Sequence, residues 1–173
     1  ATARAGNVIG GGDWATDRLV PDCLRSFSKG QAVLLRYPNA VRPWQHVLEP
    51  LSGYLSLAEH LLSEDGSKYA KAWNFGPDVS DDASVHTVAE TAAKFWGNGA
   101  SVTLENFEGH PHEAGLLKLN SGLARNELMW CPCWNWSHAL EQTVEWHRQW
   151  LKGGNMKALC YDQINAYTAA LKK

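Results

Sequence analysis

The chain has 173 residues, enough for one hydrophobic core and too few for two full domains. Hydrophobic residues make up 45%, and 16 basic against 18 acidic residues leave a formal net charge of −2. That is an ordinary globular composition with no basic footprint, so nucleic acid is excluded as a partner class. No run approaches the ~18 apolar residues of a membrane span, and no charged-then-apolar leader opens the sequence, so neither membrane nor secretion is expected. Four unevenly spaced cysteines read as reduced thiols in a cytoplasmic protein. Cys131-Pro132-Cys133 lacks the second pair that a metal site needs, and no metal is expected there.

Residues 1–9 predict a buried strand running into the turn Gly10-Gly11-Gly12. Pro21 opens a helix to about Lys29, since proline suits the first helical turn, and Gly30 stops it. A short strand over 32–36 and a Tyr37-Pro38-Asn39 turn follow. Residues 41–47 are extended, with an interruption at Pro43. From 50 to about 64, Leu51, Tyr54, Leu55, Ala58, Leu61 and Leu62 repeat at helical spacing and predict a one-sided helix with those residues inward.

A strand at 72–75 and a turn at 76–78 lead to a helix capped by Ser84 and stopped by Gly97-Asn98-Gly99. Strands are predicted at 102–104 and 116–119, with a polar loop over 106–115 between them. Ser121 begins a helix to about Leu128, and 130–135 is a tryptophan-rich connector. Ser137 caps a longer helix that turns Ala139, Leu140, Thr143, Val144, Trp146, His147, Trp150 and Leu151 inward. A last helix is predicted over 155–171. Helices and strands alternate irregularly, which reads as a mixed α+β lobe plus a strand and turn of a larger α/β sheet.

The glycine-rich turn invites a phosphate reading. It is not G-x-G-x-x-G, and no acidic residue follows a strand as a dinucleotide fold requires. Tight geometry is the favoured explanation of these glycines, and the turn is not the primary cofactor loop. His110 and His112 lie two apart in a proline loop with no third ligand, a poor metal pattern.

Residues 4–22, RAGNVIGGGDWATDRLVPD, closely resemble a segment of the CDP-glucose 4,6-dehydratases, members of the extended short-chain dehydrogenase/reductase superfamily. Further matches keep order and spacing: NAVRPWQHVLEPLSGYL at 39–55, WNFGP at 73–77, HEA at 112–114, L-x-W-x-P-x-W at 128–134 and TVEWH at 143–147. The resemblance implies the C-terminal part of an extended Rossmann-type NAD(P)-binding fold. Residues 1–12 would be the last part of its sheet, and 13–173 the substrate-binding lobe. Such enzymes use a Tyr-x-x-x-Lys pair and a glycine fingerprint, neither of which occurs here, so no catalytic residue is expected in this chain. The resemblance implies NAD as cofactor, held mainly by an N-terminal half not in this sequence, CDP-glucose or a related nucleotide sugar as ligand, and a homodimer when intact.

It also assigns roles. Asn7 is implied as a diphosphate ligand, and an amide suits a phosphate oxygen beside a sugar hydroxyl. Asp17, Arg18, Leu19 and Val20 match a stretch along the nucleoside and diphosphate, in which Arg18 is the phosphate cation and Leu19 a substrate contact. Arg42 is implied as a phosphate or ribose contact, His112 and Glu113 as ribose or phosphate ligands, and Arg4 as a cofactor contact. Trp44 and His46 read as structural neighbours. Two positions depart from the family: Asn120 stands in for the usual aspartate of L-D-x-x-K, with Leu123 at its lysine, and Met129 replaces the glycine of L-G-W. The implied function is the nucleotide-sugar-binding portion of an NAD-dependent dehydratase. A non-catalytic binding fragment or relic, or a related epimerase or dehydratase, are the alternatives.

Overall fold

The computed structural model describes residues 1–104 and 115–172. The predicted first strand is two strands, β1 (Thr2–Ala5) and β2 (Asn7–Ile9), broken at Gly6. A Cβ on Gly6 would lie 2.4 Å from the Pro43 carbonyl oxygen, so the backbones approach there as only glycine permits. The expected burial of this segment is also corrected: Thr2, Ala3 and Arg4 are exposed, and burial starts toward Ile9. β1 pairs in parallel with β6 (Ala72–Phe75) on one side, and among the described residues no strand covers its other edge.

β2 pairs in parallel with β5 (Trp44–His46), placing Asn7 opposite Trp44. β3 (Val33–Leu35) pairs in parallel with β8 (Val102–Leu104), and β4 (Val41–Arg42) runs antiparallel to β7 (Ala83–Ser84). Pro43 separates β4 from β5 because it offers no N–H to a ladder. The predicted 116–119 strand is a single bridge, Leu116 to Val41. The expected 106–115 loop falls almost wholly outside the described residues.

The described residues also hold six α-helices. α1 (Leu19–Ser28) ends where Gly30 takes φ +66°. α3 (Val85–Trp96) is capped by Ser84, whose hydroxyl accepts the Thr87 N–H at 3.1 Å. α4 (Gly122–Glu127) is short, and α6 (Met156–Leu171) is capped by Asn155. α5 (Trp136–Leu151) begins one residue before Ser137; its cap is Asn135, which accepts the His138 N–H at 2.8 Å. Ser137 already lies inside the helix. Trp150 and Leu151, expected inward, are exposed.

α2 (Leu48–Leu61) carries the largest departure. Leu51, Leu55 and Leu62 face outward, while Gly53 and Leu57 are buried, with Tyr54 and Leu61 packed beside them. A Cβ on Gly53 would meet the Phe75 ring at 2.2 Å, and this contact fixes which face of the helix lies on β6.

Two apolar clusters result. The larger joins α1, α3 and α5 around Leu24, Val88, Ala92, Leu140 and Val144. The smaller joins α2, β6 and α4 around Leu57, Trp73, Phe75 and Trp130.

Candidate functional site

Strand β2 delivers Asn7 to the floor of a cavity of about 500 Å³. The turn after it brings Arg18 and Leu19, and β4 brings Arg42; all three line the same space, together with Asp13, Asp17, Pro21, Trp44 and Val85. Four of the sequence-predicted site residues therefore converge from three separated segments of chain.

The electrostatics suit an anion. Arg18 is the N-cap residue of α1 and makes no side-chain capping bond, so the first helical N–H groups are left toward the cavity that Arg18, Leu19, Val20 and Pro21 line. Uncapped N–H groups and the helix dipole favour negative charge at such an end. Pro21 sits in the first turn, where its missing N–H costs nothing. Arg18 reaches the Asp13 carboxylate at 3.4 Å in an exposed pair, which holds it loosely. Arg42 is 7% exposed and donates to the Val41 carbonyl at 2.9 Å, so its guanidinium is held in one place by the strand that carries it. Its planar fork fits phosphate oxygens.

Trp44 and His46 behave as neighbours. The Trp44 indole N–H donates to the Ala83 carbonyl at 3.1 Å, tying β5 to β7. His46 is enclosed, and its Nδ1 accepts the Leu48 N–H at 3.3 Å. Burial, with His138 nearby, lowers its pKa to about 4, so it is neutral at pH 7.

The remaining assignments lie elsewhere. Arg4 is exposed on β1 and does not line the cavity. His112 and Glu113, with His110, lie outside the described residues.

The residues present do not form a dinucleotide loop. A Cβ on Gly11 would sit 2.1 Å from the Trp146 indole, and one on Gly10 would sit 2.9 Å from Val47. Gly11 lets the turn lie close to α5, and Gly10 lets it pass the residue that precedes α2. This agrees with the geometric reading of that turn.

Sequence reasoning passed over a buried polar cluster behind the site. Glu49 is fully buried at the start of α2 and accepts the Trp134 N–H at 2.7 Å, the Cys133 N–H at 3.1 Å and the Tyr167 hydroxyl at 2.8 Å. Ser52 Oγ accepts the Trp130 indole N–H at 2.9 Å and lies 3.0 Å from the Tyr167 hydroxyl. Burial pushes the Glu49 carboxyl above the ordinary carboxylate range, partly opposed by these hydrogen bonds. Burial, followed by the Glu49 charge, pushes the Cys133 thiol up to about 11. The cluster ties α6 and the tryptophan connector to the helix that follows β5. A glutamate in a leucine-rich helix gives no sequence signal for this, because its partners lie 84 to 118 residues away.

Among the described residues, no helix is long and apolar enough to cross a membrane. No protein-family model matches the chain. Among curated proteins, it is 47% identical over 170 residues to the CDP-glucose 4,6-dehydratase of Salmonella typhimurium, a match covering 98% of this chain and 47% of that protein. The chain thus spans about half the length of the curated relative it matches. Among solved structures, it superposes on the UDP-glucose 4-epimerase of Thermotoga maritima with UDP-glucose at a TM-score of 0.71, with 20% identity, covering 86% of this chain and 46% of that one. The UDP-glucuronic acid 4-epimerase of Bacillus cereus, in complex with UDP-glucuronic acid and NAD, gives 0.70 with 16% identity, covering 85% and 44%. The dTDP-glucose 4,6-dehydratase of Bacillus anthracis, in complex with NAD, gives 0.63 with 20% identity, covering 91% and 46%. At these identities the solved structures show the fold alone, an α/β fold shared with nucleotide-sugar epimerases and dehydratases, and over nearly its whole length the chain is similar to about half of a CDP-glucose 4,6-dehydratase.

Proposed function

We propose that this chain is the nucleotide-sugar-binding portion of a CDP-glucose 4,6-dehydratase, an NAD-dependent enzyme that converts CDP-glucose to CDP-4-keto-6-deoxyglucose and water. The observation that carries the reading is the convergence of Asn7, Arg18, Leu19 and Arg42 on one cavity beside an uncapped helix end. A diphosphate would lie between Arg42 and the start of α1, with the Asn7 amide bonded to a phosphate oxygen or sugar hydroxyl. Binding energy gathered on the diphosphate orients the hexose without taking part in bond making. In this reading residues 1–12 belong to the shared sheet and 13–173 to the substrate lobe. Further polypeptide, bearing the main NAD site, would complete the sheet along the open edge of β1 and cover the outward leucines of α2. Four free cysteines accord with a cytoplasmic setting.

The 47% identity to a dehydratase favours this over an epimerase role, for which the support is shared fold alone. The chain by itself is read as binding without turnover, because it has no Tyr-x-x-x-Lys pair.

Calorimetric titration of CDP-glucose into the chain tests the reading. Saturable binding is expected, and Arg42→Ala should weaken it more than tenfold, a loss of about 1.4 kcal/mol. An unchanged dissociation constant in the variant would remove Arg42 from the site. Formation of 4-keto-6-deoxy product by the purified chain with NAD would refute the view that it only binds.

A further inference from the structure

Residues 10–18, between β2 and α1, form neither helix nor strand, yet they carry Arg18 to the cavity. Arg18 itself is poorly held. Its side chain is 64% exposed, and its ion pair with Asp13, at 3.4 Å, joins two points of the same segment. A pair of that kind moves with the loop and does not fix it to the body of the protein.

Contacts with neighbouring elements do fix it. The Trp14 ring lies 4.4 Å from that of Trp150 on α5, and the Asp17 carboxylate accepts from Arg36 at 3.0 Å. Both are made by side chains of the loop, so the main chain can still shift about them. Arg25, in the last turn of α1, holds the main chain itself. Its Nη2 donates to the Trp14 carbonyl and to the Ala15 carbonyl, at 3.2 Å each. Its Nη1 donates to the Asp22 carboxylate at 2.6 Å, three residues back on the same helix. Asp22 thus sets the direction of the guanidinium and leaves the other arm of the fork for the loop. The two gripped carbonyls lie between Asp13 and Arg18 in the chain. The packing of α1 does not call for this arrangement, since its buried face is Val20, Pro21, Cys23, Leu24 and Phe27.

We propose that Arg25 is a positioning residue for anion binding: by closing on the Trp14 and Ala15 carbonyls it holds Arg18 at the cavity before a ligand arrives. The proposal rests on the nucleotide-sugar reading above, in which Arg18 meets the diphosphate. Arg25 does not line the cavity, so it acts through the loop and not on the ligand. A cation already in place need not be ordered by the ligand, and less of the binding free energy goes into the loop. The fork matters as much as the charge. A lysine would supply a point charge without the fixed directions that serve Asp22 and two carbonyls together.

Limited trypsin digestion and calorimetric titration with CDP-glucose test this on the chain. Cleavage after Arg18, followed by mass spectrometry, should be about tenfold faster in Arg25→Gln, because the freed loop opens to the protease. Arg25→Gln should bind CDP-glucose about fivefold more weakly, and Arg25→Lys nearly as weakly, although it keeps the charge. The thermal midpoint should hold in both variants, since an exposed ion pair contributes little to stability. In an Arg18→Ala background, Arg25→Gln should change binding by less than about twofold, because the residue it positions is gone. Unchanged cleavage, full binding by Arg25→Lys, or an equal loss with and without Arg18 would each overturn the assignment. A midpoint that collapses in both variants would make Arg25 a structural residue and overturn it as well. In all of these cases the nucleotide-sugar reading stands, provided that the unmodified chain binds and Arg42→Ala weakens it. If the unmodified chain does not bind CDP-glucose, both fail together.

Discussion

Helices α3 and α5 bury their apolar stripes against each other, whereas α2 turns Leu51, Leu55 and Leu62 to solvent and buries a glutamate instead. All three helices are amphipathic in sequence, so periodicity does not explain the difference. On the α3/α5 side, Ala89, Ala92, Leu140 and Val144 are at most 1% exposed and the core is closed. On the α2 side, the stripe that meets β6 and the Glu49 end are covered and the remaining leucines are not, and among the described residues no strand pairs with the second edge of β1. The first region is a finished core; the second has the character of an interface, with exposed leucines beside open backbone groups.

Truncation should separate the two regions most sharply. Leu140→Ala empties a closed site and should cost about 2–5 kcal/mol, whereas Leu55→Ala should stay within about 0.5 kcal/mol. Denaturant titration of both variants checks this, and equal losses would erase the distinction.

A gain of about 1 kcal/mol is expected from Met129→Gly. Met129 has φ +52°, and 82% of it is exposed, so glycine removes a backbone penalty and almost no packing. A glycine would meet this backbone without strain, and methionine adopts it here at a cost. A midpoint that does not rise would mean that the Met129 side chain contributes more than its exposure indicates.

The smallest effect should be a pH slope from Glu49. Its carboxyl is raised in the folded chain, so the neutral form is the favoured one. The stability this provides is complete below the unfolded value of about 4.3 and is lost as pH rises through the folded one. Stability should therefore fall from about pH 4 upward through the range where the buried carboxyl ionises, and Glu49→Gln should flatten that fall. A slope that survives the substitution would place its source in another group.

Much of the local structure was legible in the residues. Ser84, Asn155 and Gly30 act where their chemistry places them, because caps and left-handed turns depend on a few neighbouring atoms. That Asn7, Arg18, Leu19 and Arg42 line one cavity was legible only through family resemblance, since nothing in their spacing shows that three distant segments meet. Periodicity alone put the wrong leucines of α2 inside. It gives the apolar stripe of a helix and is silent on which surface lies opposite; the contact of Gly53 with Phe75 decided that.

The sequence by itself determined the order of the helices and several of their ends, because caps and stops are settled within a few residues by backbone hydrogen bonding, proline and glycine. Tertiary structure alone decided that Gly11 must clear Trp146, that Glu49 is satisfied by Cys133, Trp134 and Tyr167, and that Arg25 closes on the Trp14 and Ala15 carbonyls. The physical reason is range: steric exclusion and the desolvation of a buried charge act between atoms that are close in space, whatever their separation along the chain.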